Sequence, residues 1–112
     1  MASRSKQLES KYQSDLIKKL REIVEPHGYV LCQDGNYIQG FPDILVLYKT
    51  RWAALECKRS HSDPYKPNQE YYLADLDSLS FASVIYPEIE EEVLNELHEA
   101  LRIRRRTRVS KS

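Results

Sequence analysis

Gly40-Phe41-Pro42-Asp43-Ile44-Leu45-Val46-Leu47-Tyr48, then Lys49-Thr50, then Arg51-Trp52-Ala53-Ala54-Leu55-Glu56-Cys57-Lys58 is the stretch on which the reading of this chain turns. Both flanking runs are apolar and rich in β-branched or aromatic residues, the composition of buried or half-buried strands. Pro42 suits the first residue of a strand, where its missing N–H does least harm. The link between the runs is too short for a parallel crossover, so the pair is expected to be an antiparallel hairpin. With Lys49 and Thr50 as the loop, Tyr48 faces Arg51 and Asp43 falls opposite Glu56. A four-residue loop about the same bond keeps that register; an odd-length loop does not. Directly opposed side chains share a face, and Lys58, two residues beyond Glu56, points the same way.

Two opposed carboxylates repel one another, and like charges facing across a strand pair are destabilising. A divalent cation offsets this, and Mg²⁺ favours one or two carboxylates completed by water and phosphate oxygens. With Lys58 alongside to steady a phosphate or the attacking water, the pattern suits metal-assisted phosphodiester hydrolysis. The competing reading makes Asp43 a simple strand cap and Glu56–Lys58 a surface ion pair. Against it, both residues end the apolar run Trp52-Ala53-Ala54-Leu55, where polar side chains need a reason.

Length allows one domain, 1–112, with a modest core. The 112 residues are 41% hydrophobic with a formal net charge of zero, which argues against a protein that coats DNA and says little about an enzyme with a local basic site. Cys32 and Cys57 form no CxxC pair and read as ordinary strand residues. No signal peptide is recognised and no run approaches the roughly 20 apolar residues of a membrane span, so an intracellular protein without a membrane partner is expected. There is no zinc-ligand spacing, no Walker loop and no internal repeat.

Residues 1–6 read as a disordered polar arm. From Gln7 to Val24 the apolar positions Leu8, Tyr12, Leu16, Leu20, Ile23 and Val24 make one stripe of an amphipathic helix, ended by Pro26 and Gly28. Glu9 and Gln13 sit beside that stripe. Glu9 either leans over the sheet edge to help hold a metal or is a solvated helix glutamate. Tyr29 to about Gln33 reads as a short strand, and Asp34-Gly35-Asn36 as a turn. Gly40 serves either as a turn glycine, the favoured role, or to let a DNA backbone approach. Arg59 to Pro67 is a polar, basic-ended loop in which Arg59 and Lys66 are candidate DNA contacts. Asn68 is a candidate helix cap. The helix it opens runs to about Leu79 with an inward stripe of Tyr72, Leu73, Leu76 and Leu79. Gln69 lies on that stripe, either reaching the Glu56–Lys58 edge or serving as a buried structural hydrogen bonder. Phe81 to Tyr86 is a last strand, parallel to the Glu56 strand because a helix separates them. Glu88 to about Ile103 is a C-terminal helix with Ile89, Val93, Leu97 and Leu101 on one stripe. A basic tail, 104–112, follows. Its Arg104, Arg105 and Arg106 either grip phosphates, pair with an acidic surface of another subunit, or are solvated.

Pro42-Asp43, twelve intervening residues, and Glu56-Cys57-Lys58 resemble the PD-(D/E)XK nuclease signature. With Gly40-Phe41-Pro42-Asp43-Ile44-Leu45, Ala54-Leu55-Glu56-Cys57-Lys58 and Pro67-Asn68-Gln69-Glu70-Tyr71-Tyr72-Leu73, the chain from about Glu9 to Pro87 is similar to small phage-type and VRR-Nuc-type nucleases, some of them Holliday junction resolvases. The resemblance implies an α/β restriction-endonuclease-like core, a mixed four-stranded sheet flanked by helices in the order α-β-β-β-α-β, plus a C-terminal helix. It implies Asp43, Glu56, the Cys57 backbone carbonyl and Glu9 as metal ligands, with Lys58 and Gln69 in the catalytic set. Mg²⁺ is the expected cofactor, with Mn²⁺ able to substitute. The implied activity is an endonuclease selective for branched or junction DNA, working as a homodimer in a bacterial or phage-infected cell. Two other readings compete: a sequence-specific nicking or homing-type endonuclease, and a non-catalytic DNA-binding module on the same scaffold.

Overall fold

A computed structural model describes residues 4–33 and 38–104, with side chains from Ser10 onward. The chain is an α/β protein whose elements run α1 (Arg4–Val24), β1 (Gly28–Cys32), β2 (Ile44–Tyr48), β3 (Arg51–Cys57), α2 (Gln69–Leu79), β4 (Phe81–Ile85), a 3₁₀ turn (Pro87–Ile89) and α3 (Glu90–Leu101). The strands form one open mixed sheet in the order β1-β2-β3-β4. β1 and β3 each lie antiparallel to β2, and β4 lies parallel to β3.

The expected hairpin register is the one observed. Tyr48 pairs with Arg51, Leu47 with Trp52, and the ladder continues to Ile44 opposite Leu55. One step further places Asp43 against Glu56. Side-chain alternation then sorts the sheet. Val30, Ile44, Val46, Ala53, Leu55, Cys57 and Ile85 form a dry face against Leu16, Leu20 and Val24 of α1 and Val93, Leu97 and Leu101 of α3. These helix positions are the four-residue stripes read from the sequence. Asp43, Glu56 and Lys58 belong to the opposite parity, the side on which Gln69 of α2 meets Glu56 and Lys58.

Four local expectations change. α1 begins at Arg4, not Gln7, because Arg4-Ser5-Lys6 contains neither proline nor glycine to stop helical propagation, which shortens the expected polar arm. Asn68 makes no side-chain cap; it occupies the left-handed region at φ 69°, which asparagine tolerates better than most residues. Leu79 is 68% exposed and is not part of the inward stripe. With Gln69 turned inward, Leu79 lies about 80° round the helix from it, and Leu76 only about 20°. The C-terminal helix starts with a 3₁₀ turn at Pro87 and becomes α-helical at Glu90. Both cysteines are free thiols, Cys57 in the core and Cys32 at the surface. Among the described residues no helix is long and apolar enough to cross a membrane.

Candidate active site

The site lies where β2 begins and β3 ends. Asp43 sits one residue before β2, half-buried behind the buried Pro42. Its carbonyl accepts the Gln33 N–H at 2.7 Å, which ties it to the end of β1. Its carboxylate is bound at both oxygens. Oδ1 accepts the backbone N–H of Cys57 at 3.1 Å, and Oδ2 accepts Gln13 Nε2 at 3.0 Å. The Cys57 thiol is turned into the core, so the residue meets the site through its peptide group. A strand residue directs its N–H and C=O to the same neighbour. The Cys57 carbonyl therefore faces the Asp43 side, while the Lys58 N–H turns to the Ile85 carbonyl on β4.

Glu56, Lys58 and Gln69 are 8%, 6% and 5% exposed, which rules out a solvated surface ion pair. Gln69 is the only residue of α2 buried to this degree, and it is polar. Its amide is fully directed. Nε2 donates to Glu56 Oε2 at 2.7 Å, while Oε1 accepts from Lys58 Nζ and from the Lys66 N–H, each at 2.7 Å. Lys58 Nζ also donates to the Pro64 carbonyl at 2.9 Å and lies 5.0 Å from the centroid of the Tyr65 ring. Gln69 thus bridges the carboxyl and the ammonium of the Glu-x-Lys pair.

The Glu56 carboxyl is raised from its ordinary 4.5 to about 8, first by burial and then by the Asp43 charge; Lys58, the Asp43 backbone N–H and Lys66 pull the other way without cancelling the rise. A second positive charge close to both carboxylates would favour their ionised forms.

Among the described residues, no group of three or more His, Cys, Asp or Glu side chains is arranged to hold a metal. The donor set consists of two hard carboxylates and a peptide oxygen. It does not suit the closed cage of a structural zinc, but it fits Mg²⁺, which keeps several waters and shares its shell with phosphate.

The remaining candidates fall in different places. Gly40 has φ 88°, and a Cβ there would lie 2.5 Å from the Pro67 carbonyl oxygen and 2.7 Å from Asn68 Cβ. Turn geometry and packing against the start of α2 account for this glycine, so the DNA-approach role is not needed. Arg59 is exposed and paired through its guanidinium to Asp63, whose carboxyl it holds down at about 2. Lys66 is exposed and close enough to act on Glu56. Glu9 falls on α1 one turn before Gln13; its side chain, like Arg105 and Arg106, lies outside the described residues.

Arg104 is not brought to the site. It lines a groove of about 1110 Å³ together with Tyr48, Glu22, Glu25 and Glu90. Tyr48 is at the far end of β2, about 17 Å from Asp43 at roughly 3.3 Å per residue. The sequence assigns no role to Gln13 or the Pro64 carbonyl, and it offers Tyr65 only as an aromatic face of the 59–67 loop for DNA, whereas the structure sets that ring beside Lys58. For Gln13 the available signal was its place beside the α1 stripe; for the Pro64 carbonyl there was none.

Comparisons with family models, with curated proteins and with solved structures found no match.

Proposed function

We propose that this chain is a Mg²⁺-dependent endodeoxyribonuclease of the PD-(D/E)XK type, selective for branched DNA such as a four-way junction and acting as a homodimer. The observation that carries the reading is the opposition of Asp43 and Glu56 at one end of a hairpin, with Lys58 tethered beside them through Gln69. The element order α-β-β-β-α-β and the parallel last strand also support it, since the nuclease resemblance implies both. Mn²⁺ is expected to substitute. The junction preference and the dimer rest on the resemblance, joined to the small size of the chain, which leaves few surfaces for reading a base sequence.

When bound, the divalent cation lowers the pKa of water and offsets charge on the phosphate. Asp43 presents a carboxylate whose direction is set by Cys57 N–H and Gln13. Glu56 would supply the second carboxylate, since a positive charge held beside it would favour its ionised form. Gln69, with its carbonyl oxygen committed to two donors, can offer Glu56 only its NH₂, so the carboxyl stays aimed at the Asp43 side. Lys58 has three N–H donors, and Gln69 and Pro64 take two. A third can meet a phosphate oxygen, where a fixed ammonium stabilises charge that grows in the transition state.

The test is cleavage of a labelled four-way junction beside linear duplex, flap and single strand of the same sequence. Mg²⁺, Mn²⁺, Ca²⁺ and EDTA would be compared for the wild type and Asp43→Asn. Paired cuts near the branch point that vanish in EDTA and in Asp43→Asn are expected. Cutting of linear DNA at one fixed sequence would move the reading to a nicking or homing-type enzyme. Junction binding without cutting under any metal would mean a binding module on a nuclease-like scaffold.

A further inference from the structure

Helix α1 reaches the site through a residue that the carboxylate pattern does not name. Gln13 is half-buried, and its Nε2 donates to Asp43 Oδ2 at 3.0 Å across thirty residues of sequence. The other Asp43 oxygen is taken by the Cys57 backbone N–H. Asp43 is therefore clamped from two independent elements, a helix on the dry side of the sheet and the neighbouring strand. The arrangement parallels the one at Glu56, where Gln69 of α2 donates through its own Nε2. Each of the two opposed carboxyls is thus held by one amide NH₂, and the two amides come from helices on opposite faces of the sheet.

The chemistry of the donor matters. An amide N–H fixes a carboxylate's direction by a hydrogen bond to a charged acceptor but brings no net charge. A lysine or arginine at the same place would orient Asp43 and also neutralise it, removing the demand for a cation. We propose that Gln13 is a positioning residue for Asp43, orienting its carboxylate for a divalent cation through a neutral amide that adds no charge of its own. The proposal rests on the nuclease reading above. Groups that orient a metal-binding carboxylate change metal affinity about 10–100-fold when removed.

The test measures Mn²⁺ binding to the full chain without DNA, by calorimetry and by the loss of free-ion paramagnetic resonance signal. Wild type, Gln13→Met, Gln13→Lys and Asp43→Asn would be compared. Gln13→Met keeps the length of the side chain and deletes the donor; Gln13→Lys keeps a donor and adds charge. The expected result is Mn²⁺ affinity weakened about tenfold in Gln13→Met and at least as much in Gln13→Lys. The melting temperature in EDTA should stay near that of the wild type, and the cleavage rate of Gln13→Met should recover at saturating Mn²⁺. Mn²⁺ affinity of Gln13→Met within twofold of wild type would overturn the proposal. So would a loss of affinity matched by a collapse of the EDTA melting temperature, because that describes a packing residue. If the wild type binds Mn²⁺ no better than Asp43→Asn does, the nuclease reading itself falls, and this inference with it. Binding by the wild type, its loss in Asp43→Asn and its retention in Gln13→Met would leave the nuclease reading standing and remove only the role of Gln13.

Discussion

Glu56→Gln should make the cation-free protein more stable at pH 8 while abolishing cleavage. The substitution keeps the shape of the side chain and an oxygen to accept from Gln69 Nε2, but leaves no charge to desolvate beside Asp43. Glu56 ionises near 4.5 when unfolded and near 8 in the fold, driven up first by burial and then by Asp43. Between those values the unfolded chain releases the proton and the folded chain keeps it. Each pH unit in that window therefore favours unfolding by about 1.4 kcal/mol. Over the whole window the ceiling is about 5 kcal/mol, a large part of the roughly 5–15 kcal/mol that holds a domain together. Below the unfolded value both states are protonated and the effect disappears. Asp63 acts in a separate window, because its folded value of about 2 lies below its ordinary 3.8 and its contribution is lost only in stronger acid. Urea unfolding in EDTA, followed by the single tryptophan, Trp52, would be run at pH 5 and pH 8. Relative to wild type, Glu56→Gln should gain about 2–4 kcal/mol on going from pH 5 to pH 8. Added Mg²⁺ should stabilise the wild type at pH 8 and leave the variant nearly unchanged. Parallel pH profiles for the two proteins would refute the argument, since they would mean that Glu56 ionises in the fold as it does in the unfolded chain.

Gly40→Ala should destabilise the fold by about 2–4 kcal/mol, from a left-handed backbone and a Cβ forced against the Pro67 carbonyl; chemical denaturation measures it. Lys58→Met should lower the single-turnover cleavage rate about 10²–10³-fold while junction binding in Ca²⁺ persists, because it removes the ammonium that would meet the transition-state charge. Replacing Arg105 and Arg106 together by alanine should flatten the salt dependence of junction binding by about 2 in the log–log slope if both grip phosphates, as read from a titration series. An unchanged slope would assign the tail another partner.

The hairpin was legible because strand periodicity is local. A two-residue loop and a side-chain period of two leave one register that places Ile44, Val46, Ala53 and Leu55 on a single face, and Asp43 and Glu56 follow from it by counting. The stripes of α1 and α3 were legible for the same reason: spacings of three and four residues declare a buried face whatever it packs against. Asn68 does not cap the helix with its side chain because capping depends on the path by which the chain enters the helix. That path is set here by the contact of Gly40 with Pro67 and Asn68, residues far from it in sequence. Leu79 turns outward because the rotation of α2 about its own axis is set by Gln69 turning inward, and a four-member stripe drifts away from that direction.

Local chain chemistry thus determined that two carboxylates and a lysine would share one end of one hairpin. Tertiary packing decided their condition. α2 brings Gln69 over Glu56 and Lys58 and removes them from water, which is why the glutamate holds its proton. α1 carries Gln13 to Asp43, and α3 carries Arg104 to the opposite end of β2. None of these follows from spacing, because each depends on where a helix docks, and docking is settled by the shape of a core assembled from residues dispersed along the chain.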